Sequence, residues 1–280
     1  MPEFAYSGRV AFINHIAANS QIGDSALWTK RIFTWPNNAL SDWQSVNSGG
    51  VFSQGGAWRI IFGSNPNGTD QLFDMGIKDQ ATGSVSVIID GVRGSIGTVQ
   101  HKHEFIAPIY VPASIEIFAR GQNSTANTGW VNISGYHEPI HEFDLLPYQR
   151  AMSYGLDRLT SRGVTVDPGV NSLTYGAWTT ICSATDYSAA YLVCLIGNRG
   201  NTAMATAFFN YDIAIGAVGA EVPIIKNMLG VSNSVDDGIV PAIFDIQCHI
   251  PMGTRIAARA KCGIIDATDR LTDVSLILFG

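Results

Sequence analysis

Phe105–Arg120 reads FIAPIYVPASIEIFAR and Phe244–Arg259 reads FDIQCHIPMGTRIAAR, and the two stretches align without a gap. Phe105/Phe244, Pro112/Pro251, Ile117/Ile256, Ala119/Ala258 and Arg120/Arg259 are identical. The physical pattern agrees further than the letters do. Ala107, Ile109 and Val111 alternate with other residues, as do Ile246, Cys248 and Ile250. A Pro-Ala-Ser or Pro-Met-Gly turn follows, and then Ile115, Ile117 and Ala119 answer to Thr254, Ile256 and Ala258. Alternation of period two on both sides of a Pro/Gly turn marks two half-buried strands. Its recurrence within one chain marks an internal duplication.

Other blocks fall into the same frame. LFDMGI (Leu72–Ile77) lies over FFNYDI (Phe208–Ile213), and Gly83, Ile88 and Ile89 then meet Gly219, Ile224 and Ile225. Upstream, Trp43 pairs with Trp178 and Gly63 with Gly197. The offset drifts from about 135 to about 139 along the chain, as short insertions in turns produce at little entropic cost. The first copy offers strands near Asp42–Val46, Ala57–Phe62, Gln71–Gly76, Ser84–Ile89, Glu104–Val111, Ser114–Arg120 and Gly129–Gly135. The second offers Ala177–Ser183, Ala190–Ile196, Ala207–Ala214, Glu221–Ile225, Ile243–Ile250, Thr254–Ala260 and Asp273–Phe279.

Seven or eight antiparallel strands in roughly 130 residues predict a sandwich, and a jelly roll is the commonest closed solution at that count. The expected architecture is all-β, two tandem jelly-roll-like antiparallel β-sandwiches joined by a short linker. The expected boundaries are an N-terminal arm over 1–40, a first sandwich over 41–142, a linker over 143–168 and a second sandwich over 169–280. In the linker, Leu145, Tyr148, Met152, Leu156 and Leu159 recur at helical spacing, so a short amphipathic helix is expected there, weakened by Gly155. The arm has no counterpart in the second copy. It holds a possible strand at Arg9–Asn14, and its Trp28, Phe33 and Trp35 need a surface to bury against.

Composition narrows the function classes. Hydrophobic residues make up 46% of the 280, enough for sizeable cores, but charged residues only 14%, against roughly 25% in an ordinary soluble domain. A surface so poor in charge suits a protein that covers much of its outside with partners. The formal charge of −6 and the absence of a Lys/Arg cluster argue against nucleic-acid binding. The apolar runs are too short to span a bilayer as helices, and MPEFAYSGRV lacks the basic start and apolar stretch of a secretory signal. Folding in a cytoplasm is the expectation. Cys182, Cys194, Cys248 and Cys262 match neither a CxxC pair nor a zinc ribbon and read as buried free thiols.

No catalytic motif stands out. There is no G-x-S-x-G elbow and no GxxxxGK[ST] loop. Asp236, Asp237, Asp266 and Asp269 sit in turn-like sequence, where Asp caps backbone amides. His101 and His103 have a metal-binding H-x-H spacing, with His137 or His141 as a conceivable third ligand. The carboxylate expected four or five residues on is missing, and so is any histidine at the matching place in the second copy. No metal and no cofactor is expected. Trp58, Trp130 and Tyr136 are candidates for stacking on a sugar, whereas Trp43 and Trp178 recur in both copies and read as core. The polar stretch Gly121–Thr128 reads as a long loop whose Asn, Ser and Thr could hydrogen-bond a glycan or close a hairpin. Trp130, Tyr136, Asn123 and Asn127 are therefore the candidate ligand-binding residues.

The second copy carries a run of phrases: Trp178–Ser183, Tyr191–Gly197, Asp212–Glu221, Ile250–Arg259 and Val274–Gly280. This cadence resembles a repeat domain of structural proteins in tailed bacteriophages and related gene-transfer particles, found in tail, baseplate or head-spike components. The resemblance covers most of residues 170–280 and extends more weakly to Val111–Arg120, where Ser114 replaces the turn glycine. It implies a virion structural protein without catalytic residues, assembled in the host cytoplasm and acting by assembly with other virion proteins. It further implies a homo-oligomer, a trimer first, with contact to a host-surface glycan in view. The alternative is a carbohydrate-binding module or lectin without catalysis.

Overall fold

The computed structural model describes residues 31–46, 56–64, 71–93, 102–111, 116–124, 127–136, 148, 150–170, 173–198, 207–232, 243–263 and 270–280. Every regular element among them is a strand. The first half forms β1 (Arg31–Trp35), β2 (Gln44–Ser45), β3 (Gly56–Ser64), β4 (Gln71–Lys78), β5 (Val85–Arg93), β6 (Lys102–Val111), β7 (Glu116–Asn123) and β8 (Asn127–Tyr136). Their sheets have the orders β1-β8-β3-β6 and β2-β7-β4-β5, all neighbours antiparallel.

The second half forms β9 (Ala151–Tyr154), β10 (Leu156–Asp157), β11 (Arg162–Val166), β12 (Thr179–Cys182), β13 (Ala189–Asn198), β14 (Ala207–Ile215), β15 (Val222–Ser232), β16 (Ile243–Ile250), β17 (Ile256–Cys262) and β18 (Thr272–Phe279). Here the orders are β11-β18-β13-β16 and β12-β17-β14-β15. Strand for strand the two halves have one connectivity. Eight strands wound alternately into two four-stranded sheets in this order are a jelly roll, so the chain is two jelly rolls in tandem. All fourteen strands expected from alternation coincide with an observed one.

Two expectations fail. Arg31–Trp35, read as part of an arm without a counterpart, is β1, and it holds the place in its sheet that β11 holds in the second roll. Trp35 does find its surface: it is fully buried and stacks on Phe73 with ring centroids 6.1 Å apart. The close approach requires Gly121, since a Cβ there would come within 2.6 Å of the indole. Trp28, the Phe33 side chain and the stretch Arg9–Asn14 lie outside the described residues.

The linker is the other failure: its described residues form strands and turns, not a helix. β9 and β11 lie end to end along one edge of β18, with Ala151–Tyr154 opposite Phe279–Leu276 and Val164–Val166 opposite Val274–Thr272. Between them the chain leaves the sheet through β10 and a turn at Asp157–Ser161, then returns. Val164 N donates to Gly155 O at 2.9 Å to close the base of this excursion. Gly155 sits at φ 72°, a conformation that costs other residues about 1–2 kcal/mol, and a Cβ on Gly163 would meet Val274 O at 2.9 Å. The free edge of β18 satisfies the linker's backbone groups better than an isolated turn of helix could, and tertiary pairing overrides the local spacing. Leu159, which a helix would have used as a contact, is 82% exposed.

The linker also joins the rolls. Met152 of β9 pairs in parallel with Asp90 of β5, so one sheet of the first roll runs on into one sheet of the second. β13 and β18 are consequently buried on both faces. Leu192, Cys194, Ile196, Leu276 and Leu278 pack with Phe209, Tyr211, Ile213 and Ile256 inside the second roll. The alternate residues Val193, Leu195, Ile277 and Phe279 belong to the cluster of Trp35, Phe73, Met75 and Ile117 from the first roll. Burial on both faces explains why Leu192–Ile196 and Leu276–Phe279 are unbroken apolar runs. Each such side chain contributes about 1.5–3 kcal/mol by leaving water.

Candidate functional site

Outside the cores, the densest side-chain chemistry sits on the outer face of the β12-β17-β14-β15 sheet. Asp212 of β14 stands directly opposite Arg259 of β17. Arg259 donates to Asp212 Oδ2 from Nε at 2.9 Å and from Nη2 at 2.7 Å. Its guanidinium is clasped between two rings, 4.3 Å from the Tyr175 centroid and 4.4 Å from that of Trp178. Lys261 Nζ lies 4.7 Å from the Tyr175 centroid, so a second cation joins the ring. Contacts of this kind contribute about 0.5–1 kcal/mol each when exposed.

The other carboxylate oxygen is held by a β-bulge. Met228 pairs with Tyr211 and Ile225 with Ile213, so Lys226 and Asn227 together face Asp212. Asn227 adopts φ 55°, which turns its backbone N–H onto Asp212 Oδ1 at 2.9 Å. The Tyr175 hydroxyl donates to the same oxygen at 2.9 Å and lies 2.8 Å from Asn227 Oδ1. Burial works to raise the Asp212 pKa, but the Asn227 N–H, Arg259 and Tyr175 outweigh it and hold the carboxyl below the usual range. The Tyr175 hydroxyl is pushed up to about 12 by burial and by its bond to Asp212. An ionised carboxylate and a protonated phenol make a fixed structural anchor, not an acid–base pair poised near neutrality.

The first roll builds the same anchor with one exchange. Arg120 Nε donates to Asp74 Oδ2 at 2.8 Å, and its guanidinium lies 4.4 Å from the Trp43 centroid. A bulge opposite Asp74 contains Gly91 at φ 77°, whose N–H donates to Asp74 Oδ1 at 2.9 Å. Where the second roll uses Tyr175, the first takes Arg158 from the linker turn. Its Nη2 reaches Asp74 Oδ1 at 2.9 Å and Asp90 Oδ1 at 2.5 Å. Burial, with the Asp74 carboxyl adding to it against the pull of Arg158, raises the Asp90 pKa. Gln122 Nε2 donates to Arg158 O and to Ser161 Oγ, Ser161 Oγ donates to Asn38 Oδ1, and Ser153 Oγ donates to Gly91 O. The linker excursion is thus a clasp seated on the first roll.

A second ion pair differs in polarity. Arg255 Nη1 bonds Glu221 at 3.1 Å and the Gly216 carbonyl at 3.1 Å. At the corresponding corner of the first roll Lys78 faces Glu116 at 3.7 Å. Glu116 holds the place of Arg255, while Lys78 ends β4 and Glu221 lies just ahead of β15.

The residues singled out from sequence are only partly brought together. Trp130 and Tyr136 stand on β8, an interior strand of its sheet, where Trp130 pairs with Ile32 and Gly63, and Tyr136 with Ala57. Asn127 begins β8 opposite Trp35. Asn123 ends β7, fully buried, with its backbone bonded to Pro36 O and Asn38 N. Its side chain is enclosed and leaves no exposed surface. Of the stretch expected as a long loop, Gly121–Asn123 belong to β7 and Asn127 and Thr128 to β8. Trp43 and Trp178, expected in the core, are half-buried on the outer face under their arginines. Cys182, Cys194 and Cys262 are buried, Cys248 is half-buried, and none of the four forms a disulfide. Burial pushes the Cys194 thiol up to about 12. His101, His137 and His141 and the His103 side chain lie outside the described residues, as do Asp236, Asp237, Asp266 and Asp269. Among the described residues no helix is long and apolar enough to cross a membrane, and no cluster of His, Cys, Asp and Glu could hold a metal ion.

No family model and no curated protein matches the chain. Solved structures similar to it include the viral STIV MCP (7% identity, TM-score 0.35, covering 90% of this chain and 95% of that one). Another is a peptide-N(4)-(N-acetyl-β-D-glucosaminyl) asparagine amidase (10% identity, TM-score 0.30, 92% of each chain). A third is the N-terminal CBM22-1-CBM22-2 tandem domain from Paenibacillus barcinonensis Xyn10C (9% identity, TM-score 0.24, 93% of this chain and 95% of that one). A viral protein, an enzyme and a tandem module resemble the chain at this distance, and none of them assigns it a role.

Proposed function

We propose that the chain is a virion structural protein of the tail, baseplate or head spike of a bacteriophage or related particle, acting by assembly and not by catalysis. One observation carries this reading: the phrases by which the chain resembles phage repeat domains form the connected frame of the second roll. Tyr191–Gly197 and Val274–Gly280 are the paired inner strands β13 and β18. Asp212–Glu221 and Ile250–Arg259 are tied to each other by the Asp212–Arg259 and Glu221–Arg255 ion pairs. Trp178 of the first phrase lies under Arg259. The likeness rests on groups that hold the roll together. The charged fraction of 14% and the exposed Phe208, Val218, Val222 and Met252 add to it, because such a surface suits lasting contact with partners.

In this reading the partners are other virion proteins and further copies of the chain, a homotrimer first, and the site of action is the particle. The units are proposed as a first sandwich ahead of the clasp and a second one closing on β18, with Trp130, Tyr136 and Asn127 as positions for a host-surface glycan. Quantitative mass spectrometry of purified particles against the soluble lysate tests the role. A fixed copy number per particle is expected. A chain found only as free monomer that binds glycans would instead make it a carbohydrate-binding module.

A further inference from the structure

The clasp suggests what covers the outer edge of the second roll. In the first roll, β5 is the last strand of its sheet, and its edge is met by β9, the segment just upstream of strand β11 of the next roll. β15 is the equivalent strand of the second roll. It is eleven residues long, it pairs with β14 alone among the described residues, and Val222 and Leu229 on it are exposed. A long sheet edge whose one charge is Lys226 is a template for a further strand.

The repeat identifies which strand. Gly63 pairs with Trp130, which pairs with Ile32, while Gly197 pairs with Asp273, which pairs with Thr165. Because Gly63 and Gly197 are equivalent, Ile32 lies over Thr165. Carried upstream without a gap, this frame sets Ala18, Ser20 and Asp24 over Ala151, Ser153 and Asp157, all identities. The last two have defined work in the clasp. Ser153 Oγ bonds the Gly91 carbonyl, and Asp157 caps the turn by accepting from Leu159 N at 3.0 Å and Thr160 Oγ1 at 2.7 Å. Arg158, which supplies a cation to Asp74, falls on Ser25. No cation is required at that place, because Tyr175 already occupies the corresponding oxygen of Asp212. In its own chain the edge of β5 is taken by β9, so β15 is the edge of this kind left for the segment 18–30.

We propose that residues 18–30 of one copy form a clasp on β15 of a second copy, head to tail, reproducing between chains the contact that β9 and its turn make within the chain. The inference rests on the assembly reading above and names its surface. In the repeat frame Asn19 answers to Met152, and Lys226 precedes the bulge residue Asn227 as Asp90 precedes Gly91, so Asn19 of one copy is placed beside Lys226 of the next. Such a heterologous contact closes into a ring or runs on as a filament.

The test is oxidation of the full-length Asn19→Cys/Lys226→Cys protein, followed by non-reducing electrophoresis and light scattering. Paired strands bring Cα atoms to about 5 Å, within disulfide reach. Covalent oligomers are expected for the double variant, with neither single variant forming them, and deletion of residues 18–28 should return the wild-type assembly to monomer. A double variant that stays monomeric, or a deletion that leaves assembly unchanged, overturns the proposal. Presence in particles without this cross-link would sink the clasp alone, whereas cross-linked oligomers absent from particles would sink the virion role alone.

Discussion

The anchors at Asp74 and Asp212 are one design with two different completions. Both set an aspartate opposite an arginine, lay that arginine on a tryptophan, and bring a backbone N–H onto the carboxylate from a left-handed bulge residue. In the second roll the remaining oxygen is completed locally by Tyr175, and in the first by Arg158 from the linker. The difference shows how a duplicated fold can become one body: a position filled by a side chain of its own roll in one copy is filled in the other by the segment that connects them. The bulge residues agree with this. Gly91 sits at φ 77° with the tip of the Leu156 side chain of the clasp 2.1 Å from where a Cβ would lie, while Asn227 has an exposed position.

The largest break in the comparison should come from the aspartates. Asp74→Ala leaves Arg120 without its carboxylate and Arg158 with Asp90 alone, and is expected to cost about 3–5 kcal/mol. Asp212→Ala leaves a single arginine and should cost about 2 kcal/mol. Urea denaturation of both variants measures the difference, and equal losses would mean that the clasp adds nothing to the first anchor. Next, Gly91→Ala should cost about 2 kcal/mol from its left-handed backbone and the crowding of Leu156, whereas Asn227→Gly should stay within about 0.5 kcal/mol.

A smaller effect separates the two completions by pH. The Tyr175 pKa is raised in the folded chain to about 12, so its contribution is complete below the unfolded value near 10 and is lost as pH rises from 10 towards 12. Tyr175 is half-buried and partly screened by solvent, so the contribution is discounted to about 1 kcal/mol. Stability of the wild type should fall over that window more than that of Tyr175→Phe, and parallel curves would contradict the assignment. The smallest effect tests the ion pair at the corner of the first roll. Glu116→Lys should cost about 0.5 kcal/mol by opposing Lys78, and adding Lys78→Glu should restore it.

Strands such as β7 were legible because they bury one face, so the alternation Ile117-Phe118-Ala119-Arg120 survives as a period of two. β13 and β18 showed themselves instead as unbroken runs, the mark of burial on both faces. The linker was not legible. Tyr148, Met152 and Leu156 happen to repeat at helical spacing, and nothing local reveals the open edge of β18 that captures them. The anchors were half visible. Trp43/Trp178 and Arg120/Arg259 recur in register, but an ungapped frame lays Asp74 over Asn210, two residues short of Asp212. The turn after β4 is longer by those residues, and only the sheet pairing of Asp74 with Arg120 and Asp212 with Arg259 restores the match. Recurring tryptophans were taken for core because aromatics in strands usually are. An arginine recurring at the matching place of each copy, Arg120 and Arg259, was the available sign of a stacked outer face.

Both the assembly role and the asymmetry between the rolls come to a single observation in an electron cryomicroscopy map of the purified particle. The expected map contains this chain in symmetric copies, with β5 of every copy covered by its own clasp and β15 covered by the 18–30 segment of a neighbour. A particle map without the chain, or one in which β15 faces solvent in every copy, would contradict it.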